Sequence, residues 1–269
     1  MLQAKQPIGI FDSGIGGLTV AKAIHKNLPQ EDLIYFGDTA HTPWGGQSAH
    51  AISHYATRIS ETLLKLNCKV IVVACNTASA AAFSAVQDVV KDRALLFNVI
   101  DPVIDHLVAN HANKTIGLIG TKQTVKSGAY NTRLLQKSKS ISLNSLATPL
   151  LVPIIEEGFG KTAVAEQIIN HYLSNPCMTN ISALILGCTH YPFIKQQVID
   201  FFKQQVEVID SAQLISSVIS KQLDLYQLHN NQENPKMRFY VSHDSEFFYQ
   251  TAQQFFPGGI KLETFPLWD

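Results

Sequence analysis

Along the chain, short runs of Ile, Val, Leu and Phe alternate with longer stretches in which apolar and polar residues mix at helical spacing. The runs 8–11, 33–36, 70–74, 95–100, 116–119, 183–186 and 206–209 are apolar at nearly every position, the pattern of strands buried on both faces of a parallel sheet. Between them, 18–28, 50–66, 78–90, 161–173 and 193–205 have the length and the Ala, Gln and Lys content of helices. The segment after 206 adds a further strand and a helix, and then the apolar run 237–241. Strand followed by helix, repeated, predicts an α/β fold of mostly parallel sheets flanked by helices.

In such sheets ligands bind beyond the carboxyl ends of the strands, so the strand exits are where chemistry belongs. They read Asp12-Ser13-Gly14, Gly37-Asp38-Thr39, Cys75-Asn76-Thr77, Asp101-Pro102, Gly120-Thr121, Cys188-Thr189-His190 and Asp210-Ser211. Two stretches recur. Ile8-Gly9-Ile10-Phe11-Asp12-Ser13 is similar to Ile116-Gly117-Leu118-Ile119-Gly120-Thr121, and Val72-Val73-Ala74-Cys75-Asn76-Thr77 to Ile185-Leu186-Gly187-Cys188-Thr189-His190, at offsets of 108 and 113 residues. Two similar α/β halves are expected, each with one cysteine at a strand end. The expected division is 1–97 together with 207–269, the last segment returning to the first half, and 98–206 as the second half.

Composition narrows the function classes. With 46% hydrophobic residues in 269, the chain can bury two cores. Lys plus Arg equals Asp plus Glu at 21 each, so no broad positive field favours nucleic acid or anionic lipid as a partner. No segment reaches the roughly 18 consecutive apolar residues of a membrane span, and the first residues lack a signal-peptide pattern. A cytoplasmic protein is expected. The four cysteines, 68, 75, 177 and 188, have neither zinc-site spacing nor the density of a disulfide scaffold, so reduced thiols and no metal site are expected. Cys68 and Cys177, in a helix-to-strand connection and a loop beside Pro176, have no evident polar partners and read as structural.

Cys75 and Cys188 differ from these by position. Each follows an apolar strand and precedes polar residues that open a helical turn, an environment that lowers a thiol pKa from about 8.5. Free cysteine is often merely buried, but matching positions in both halves favour chemistry. Two thiols facing each other across a cleft suit removal of an α-proton from one face of an amino acid and its return to the other. Asp12 and His190 stand ready to assist them. Ser13-Gly14-Ile15-Gly16-Gly17 offers a backbone nest for a carboxylate, and Thr77, Thr121 and Thr189 offer hydroxyls. The glycine run lacks dinucleotide and triphosphate-loop spacing, which weighs against a nucleotide. A Cys188–His190 acyl transferase and an amino-acid-binding module remain as alternatives from other classes.

At this point the chain resembles the glutamate racemase family. The resemblance rests on 9–18, on Tyr35-Phe36-Gly37-Asp38-Thr39 with Pro43-Trp44-Gly45, on Ala74-Cys75-Asn76-Thr77-Ala78-Ser79, on Val152-Pro153 through Glu156-Glu157-Gly158, and on 186–192. It implies two domains related by a pseudo-twofold axis with the active site between them. It further implies interconversion of L- and D-glutamate without a cofactor, supply of D-glutamate for peptidoglycan and hence cell shape, and a homodimer. Cys75 would deprotonate D-glutamate and Cys188 L-glutamate, assisted by Asp12 and His190. Asp12, Ser13, Trp44, Gly45, Asn76, Thr77, Thr121, Thr189 and His190 would contact substrate, with Glu156 a weaker candidate. Aspartate and hydantoin racemases share the two-thiol chemistry and are the nearest rivals. Two departures stand out: Trp44 where the family usually has Tyr, tolerable if the backbone makes the contact, and Thr148 where many members have Cys. With only six residues before Pro7, activation by a cell-wall precursor is not expected.

Overall fold

The structure is a computed structural model that describes residues 2–256 and 260–268. Its strands are β1 (Ile8–Asp12), β2 (Leu33–Gly37), β3 (Val70–Val73), β4 (Leu95–Asn98), β5 (Thr115–Gly120), β6 (Ser142–Ala147), β7 (Ala183–Gly187), β8 (Glu207–Ile209), β9 (Met237–Val241) and β10 (Leu262–Thr264). They form two sheets, ordered β10-β9-β2-β1-β3-β4 and β6-β5-β7-β8. Every pairing is parallel. The expected α/β fold with parallel sheets flanked by helices is what forms.

The internal repeat is visible in this order. β2-β1-β3-β4 and β6-β5-β7-β8 are the same arrangement used twice. Successive strand residues serve opposite faces: Ile10 and Phe11 fall into separate apolar cores on the two sides of the first sheet, as do Leu118 and Ile119 in the second. Burial on both faces is why these strands read as unbroken apolar runs. β6 escaped that reading because it is an edge strand of half-exposed and exposed residues, rich in Ser and Asn. β10, three residues long, carries too little pattern to detect.

The expected helix at 78–90 is two, Asn76–Ala81 and Phe83–Val90, so the first begins directly after Cys75. β8 pairs with β7, which keeps Glu207–Ile209 in the second sheet. The chain returns only with the helix Ser211–Tyr226, which packs on Leu18–Asn27, and with β9, which extends the first sheet beside β2.

A buried charge pair fastens this return. Lys69 is fully buried and its Nζ donates to Glu31 at 2.6 Å, to the Leu228 carbonyl at 2.8 Å and to the Ala4 carbonyl. Glu31 in turn accepts the Asn230 N–H at 2.8 Å. Burial pulls the Lys69 pKa down, and the Glu31 carboxylate opposes that shift. Removing one partner strands the other's charge, so Lys69→Met is expected to cost about 3–5 kcal/mol in urea unfolding. Adding Glu31→Gln to Lys69→Met should recover at least half of that loss. A single variant as stable as the parent would show that the pair contributes nothing.

Candidate active site

In each half the first strand lies between the second and third, β2-β1-β3 and β6-β5-β7, so the connections depart in opposite directions and a crevice opens at the carboxyl ends. Asp12 and Cys75 end or follow β1 and β3, and Thr121 and Cys188 follow β5 and β7. The two crevices meet in one small, tightly closed cavity, lined by Ser13, Pro43, Trp44, Gly45, Cys75, Asn76, Thr77, Thr121, Val152, Cys188, Thr189 and His190. Every expected site residue except Asp12 and the weaker candidate Glu156 is in that wall. Asp12 sits immediately behind it, fully buried.

Both halves touch here through side chains. Thr189 Oγ1, from the second half, donates to the Asp12 carboxylate of the first at 3.3 Å. The hydroxyls of Thr77 and Thr121 are 3.0 Å apart, and Thr124, which the sequence had not marked, joins them 3.0 Å from Thr121. Such close contact needs glycine at two points. A Cβ on Gly16 would lie 2.4 Å from Thr189 Oγ1 and 2.8 Å from the Thr189 backbone, and one on Gly45 would lie 2.6 Å from Thr121 Cβ. Within the glycine run, packing between halves thus requires Gly16, whereas a Cβ on Gly17 would meet Asp12 and Tyr35 of its own half.

One part of the glycine-nest expectation changes. The Gly17 N–H donates to Asp12 Oδ2 at 2.7 Å, so it holds the aspartate in place of a ligand. Trp44 is fully buried and its Nε1–H donates to Asp38 Oδ2 at 3.0 Å, so the indole acts as an anchor and the position works through its side chain as well as its backbone. Asp38 also accepts from Ser242 at 2.7 Å and from Trp268 Nε1 at 2.8 Å, which ties the Trp44 turn to the returning segment. Thr148 bonds the Tyr191 hydroxyl at 2.6 Å behind the cavity. Asn76 accepts from the Tyr130 hydroxyl at 2.6 Å, while its Nδ2 is buried without a partner in a cavity wall, a free donor for a ligand oxygen.

The two thiols are not alike in setting. Cys75 precedes the helix Asn76–Ala81, whereas Cys188 precedes only a short turn, Tyr191–Ile194, before the helix Lys195–Phe201. The expected lowering of the Cys75 pKa by its helix terminus does not occur. Burial, then the Asp12 carboxylate, push it up, and the backbone N–H groups of Ala78 and Thr77 only partly offset this. Negative charge at Cys188 raises it further. Cys188 Sγ lies 3.8 Å from His190 Nδ1, and His190 Nε2 meets Glu156 Oε1 at 2.5 Å. Burial opposes the imidazolium, but Cys188 and Glu156 outweigh it and hold the His190 pKa well above its ordinary value. Protonated, His190 donates to both neighbours. Asp12 is pushed upward by burial, against the pull of His190 and the Gly17 and Ser13 N–H groups.

The remaining cysteines fit the structural reading. Cys68 is buried against Gly9, and burial pushes its thiol up to about 12. Cys177 lies in the turn Pro176–Met178. All four are free.

Two parallel α/β halves closing strand-end polar residues into one cavity between them define the class of protein. The chain belongs to the Asp/Glu/hydantoin racemase family, whose pattern matches residues 18–217, and is an amino-acid racemase. Within the family its likeness runs to glutamate racemases. It is 39% identical over 256 residues to glutamate racemase of Thermus thermophilus, covering 94% of each chain, and 37% identical over 264 residues to that of Sulfurihydrogenibium, covering 98% of each. The crystal structure of glutamate racemase from Francisella tularensis in complex with D-glutamate superposes with a TM-score of 0.91 at 37% identity, covering 98% of this chain and 99% of that one.

Proposed function

We propose that this protein interconverts L- and D-glutamate through Cys75 and Cys188 acting from opposite faces of the substrate, without a cofactor. The observation that carries this reading is that both cysteines, from equivalent strand ends, line the same buried cavity. A thiol held neutral on one side and a thiol beside an imidazolium on the other make an acid and a base. His190 supplies the cation that a thiolate at Cys188 requires, and Glu156 holds the imidazole ring. On the other side Asp12, its own pKa raised by burial, accepts the Cys75 proton when that thiol serves as base. In this assignment Cys188 removes the α-proton of L-glutamate while Cys75 delivers one to the opposite face, and the reverse reaction starts at Cys75.

The substrate carboxylates and ammonium fall to Ser13, Asn76, Thr77, Thr121 and Thr189, with the Trp44–Gly45 turn closing the wall. The unpartnered Asn76 amide is the donor best placed for a carboxylate oxygen. Support for glutamate over aspartate comes from the glutamate racemases to which the chain is 35–40% identical. D-glutamate made here would serve peptidoglycan synthesis in the cytoplasm, with the enzyme a homodimer of this two-domain chain. The domains divide after β4 and again after β8. Among the described residues no helix is long and apolar enough to cross a membrane.

Incubation with L-glutamate in deuterium oxide tests the activity. Optical rotation should decay to zero while deuterium enters the α-position, and L-aspartate should remain optically active under the same conditions. Equal turnover of aspartate would reassign the substrate, and loss of rotation without deuteration would exclude proton transfer with solvent-exchangeable groups.

A further inference from the structure

We propose that His106, His111 and Glu207 form a binding site for one divalent cation of the zinc type, on the second half and away from the cavity. His106 lies on the helix Asp101–Asn110, His111 caps its carboxyl end, and Glu207 opens β8. That is the amino end of the strand, whereas the catalytic cavity sits beyond the carboxyl ends. Among the described residues this is the one group of three His, Cys, Asp or Glu side chains that presents ligand atoms to a common centre, all within 4.8 Å of one another.

The distances suit a small tetrahedral ion. His106 Nε2 is 3.2 Å from Glu207 Oε1, and His111 Nε2 is 3.2 Å from Glu207 Oε2. Zinc bonds of about 2.0–2.2 Å to nitrogen and oxygen place neighbouring tetrahedral ligands about 3.3–3.5 Å apart. The two contacts are to different oxygens of Glu207, so closing around a metal takes a turn of that half-exposed carboxylate and an approach of ligand atoms that already lie within 4.8 Å of one another. His111 Nε2 is buried yet makes no correctly directed hydrogen bond, although the carboxylate is near. A buried ring nitrogen left without a partner, beside a carboxylate that His106 already contacts, is a ligand atom open to an ion.

The donor set selects the ion. Two imidazoles and one carboxylate suit zinc, cobalt or nickel, whereas calcium and magnesium require more oxygen ligands. Ligation at His106 Nε2 needs the proton on Nδ1, whose neighbour is the Asn110 amide nitrogen at 3.4 Å, a contact weak enough to yield. Glu207 is half exposed, so a fourth position is open to water. No local pattern marks the site, because its ligands come from a helix end and a strand start about a hundred residues apart, brought together by β8 pairing with β7. A bound ion would clip that helix end to the sheet and stabilise the folded chain by mass action.

The probe is Co²⁺, followed by its optical spectrum, and then Zn²⁺ by calorimetry and thermal unfolding, on the full chain after treatment with chelator. One equivalent of Co²⁺ should give the d–d bands of a tetrahedral nitrogen and oxygen site with no thiolate-to-metal charge-transfer band. Zn²⁺ should raise the melting temperature. His106→Ala and Glu207→Gln should each weaken binding at least about tenfold and abolish the thermal shift, while both variants racemise at the wild-type rate. A thiolate band with affinity unchanged in His106→Ala would place the metal on cysteine and overturn the site. So would absence of binding at micromolar metal, which would leave the cluster an ordinary imidazole–carboxylate contact.

Discussion

Replacing either Cys75 or Cys188 by serine is expected to lower kcat for racemisation by at least about 10³-fold, within the range assigned to positioned acids and bases. The serine hydroxyl matches the thiol in size but is a far weaker acid, so the fold survives and the proton transfer does not. The two variants should differ in what they retain. Under the proposed assignment Cys188→Ser still exchanges the α-proton of D-glutamate through Cys75, without inversion, and Cys75→Ser still exchanges that of L-glutamate through Cys188. Deuterium incorporation into each enantiomer, followed by mass spectrometry beside chiral analysis, reads this directly. Wild-type racemisation by both single variants would end the two-thiol mechanism. The opposite pattern of exchange would keep the mechanism and reverse the faces.

Asp12→Asn should separate activity from stability. The asparagine side chain can still accept the Gly17 N–H that Asp12 Oδ2 accepts at 2.7 Å, but it cannot take a proton from Cys75, so kcat should fall by about 10²–10³-fold. Folding should not suffer. The folded-state pKa of Asp12 is raised, mainly by burial, so its ionised form disfavours the native state. The contribution of Asp12 is fully present below the unfolded carboxyl pKa and is lost as pH rises through the higher folded value. At neutral pH the variant should therefore melt above the wild type, and the difference should vanish as pH falls into the ordinary carboxyl range. Thermal unfolding between acid and neutral pH measures the trend. A variant that melts lower at neutral pH would show that Asp12 is held for structure.

Both experiments address a site whose parts differ in how far they were legible. Cys75 and Cys188 stood out because each ends an apolar run and is followed by polar residues, and their equivalence survives as the shared order β2-β1-β3-β4 and β6-β5-β7-β8. Glu156 was visible only as part of a motif, yet it holds His190 at 2.5 Å. Val152 was visible only in that same motif, and Thr124 and Tyr130 were not marked at all. They reach the cavity or its wall from segments with no chemical signature, by contacts between residues far apart in sequence. The strands β6 and β10 were missed for a related reason, since an edge or a three-residue strand has no continuous apolar pattern to read.

The amino-acid sequence by itself determined the parallel α/β class, the repeat and the strand-end positions of the reactive side chains, because periodicity and turn chemistry are local properties. Tertiary structure decided the charge states. The helix terminus behind Cys75 argued for a lowered pKa, but burial and the neighbouring Asp12 raise it, since desolvation depends on everything that surrounds the thiol. It also decided that Gly17 holds Asp12, that Trp44 is anchored on Asp38, and that His106, His111 and Glu207 meet. Each of these depends on which segments the fold brings within a few ångströms, and no local pattern records that.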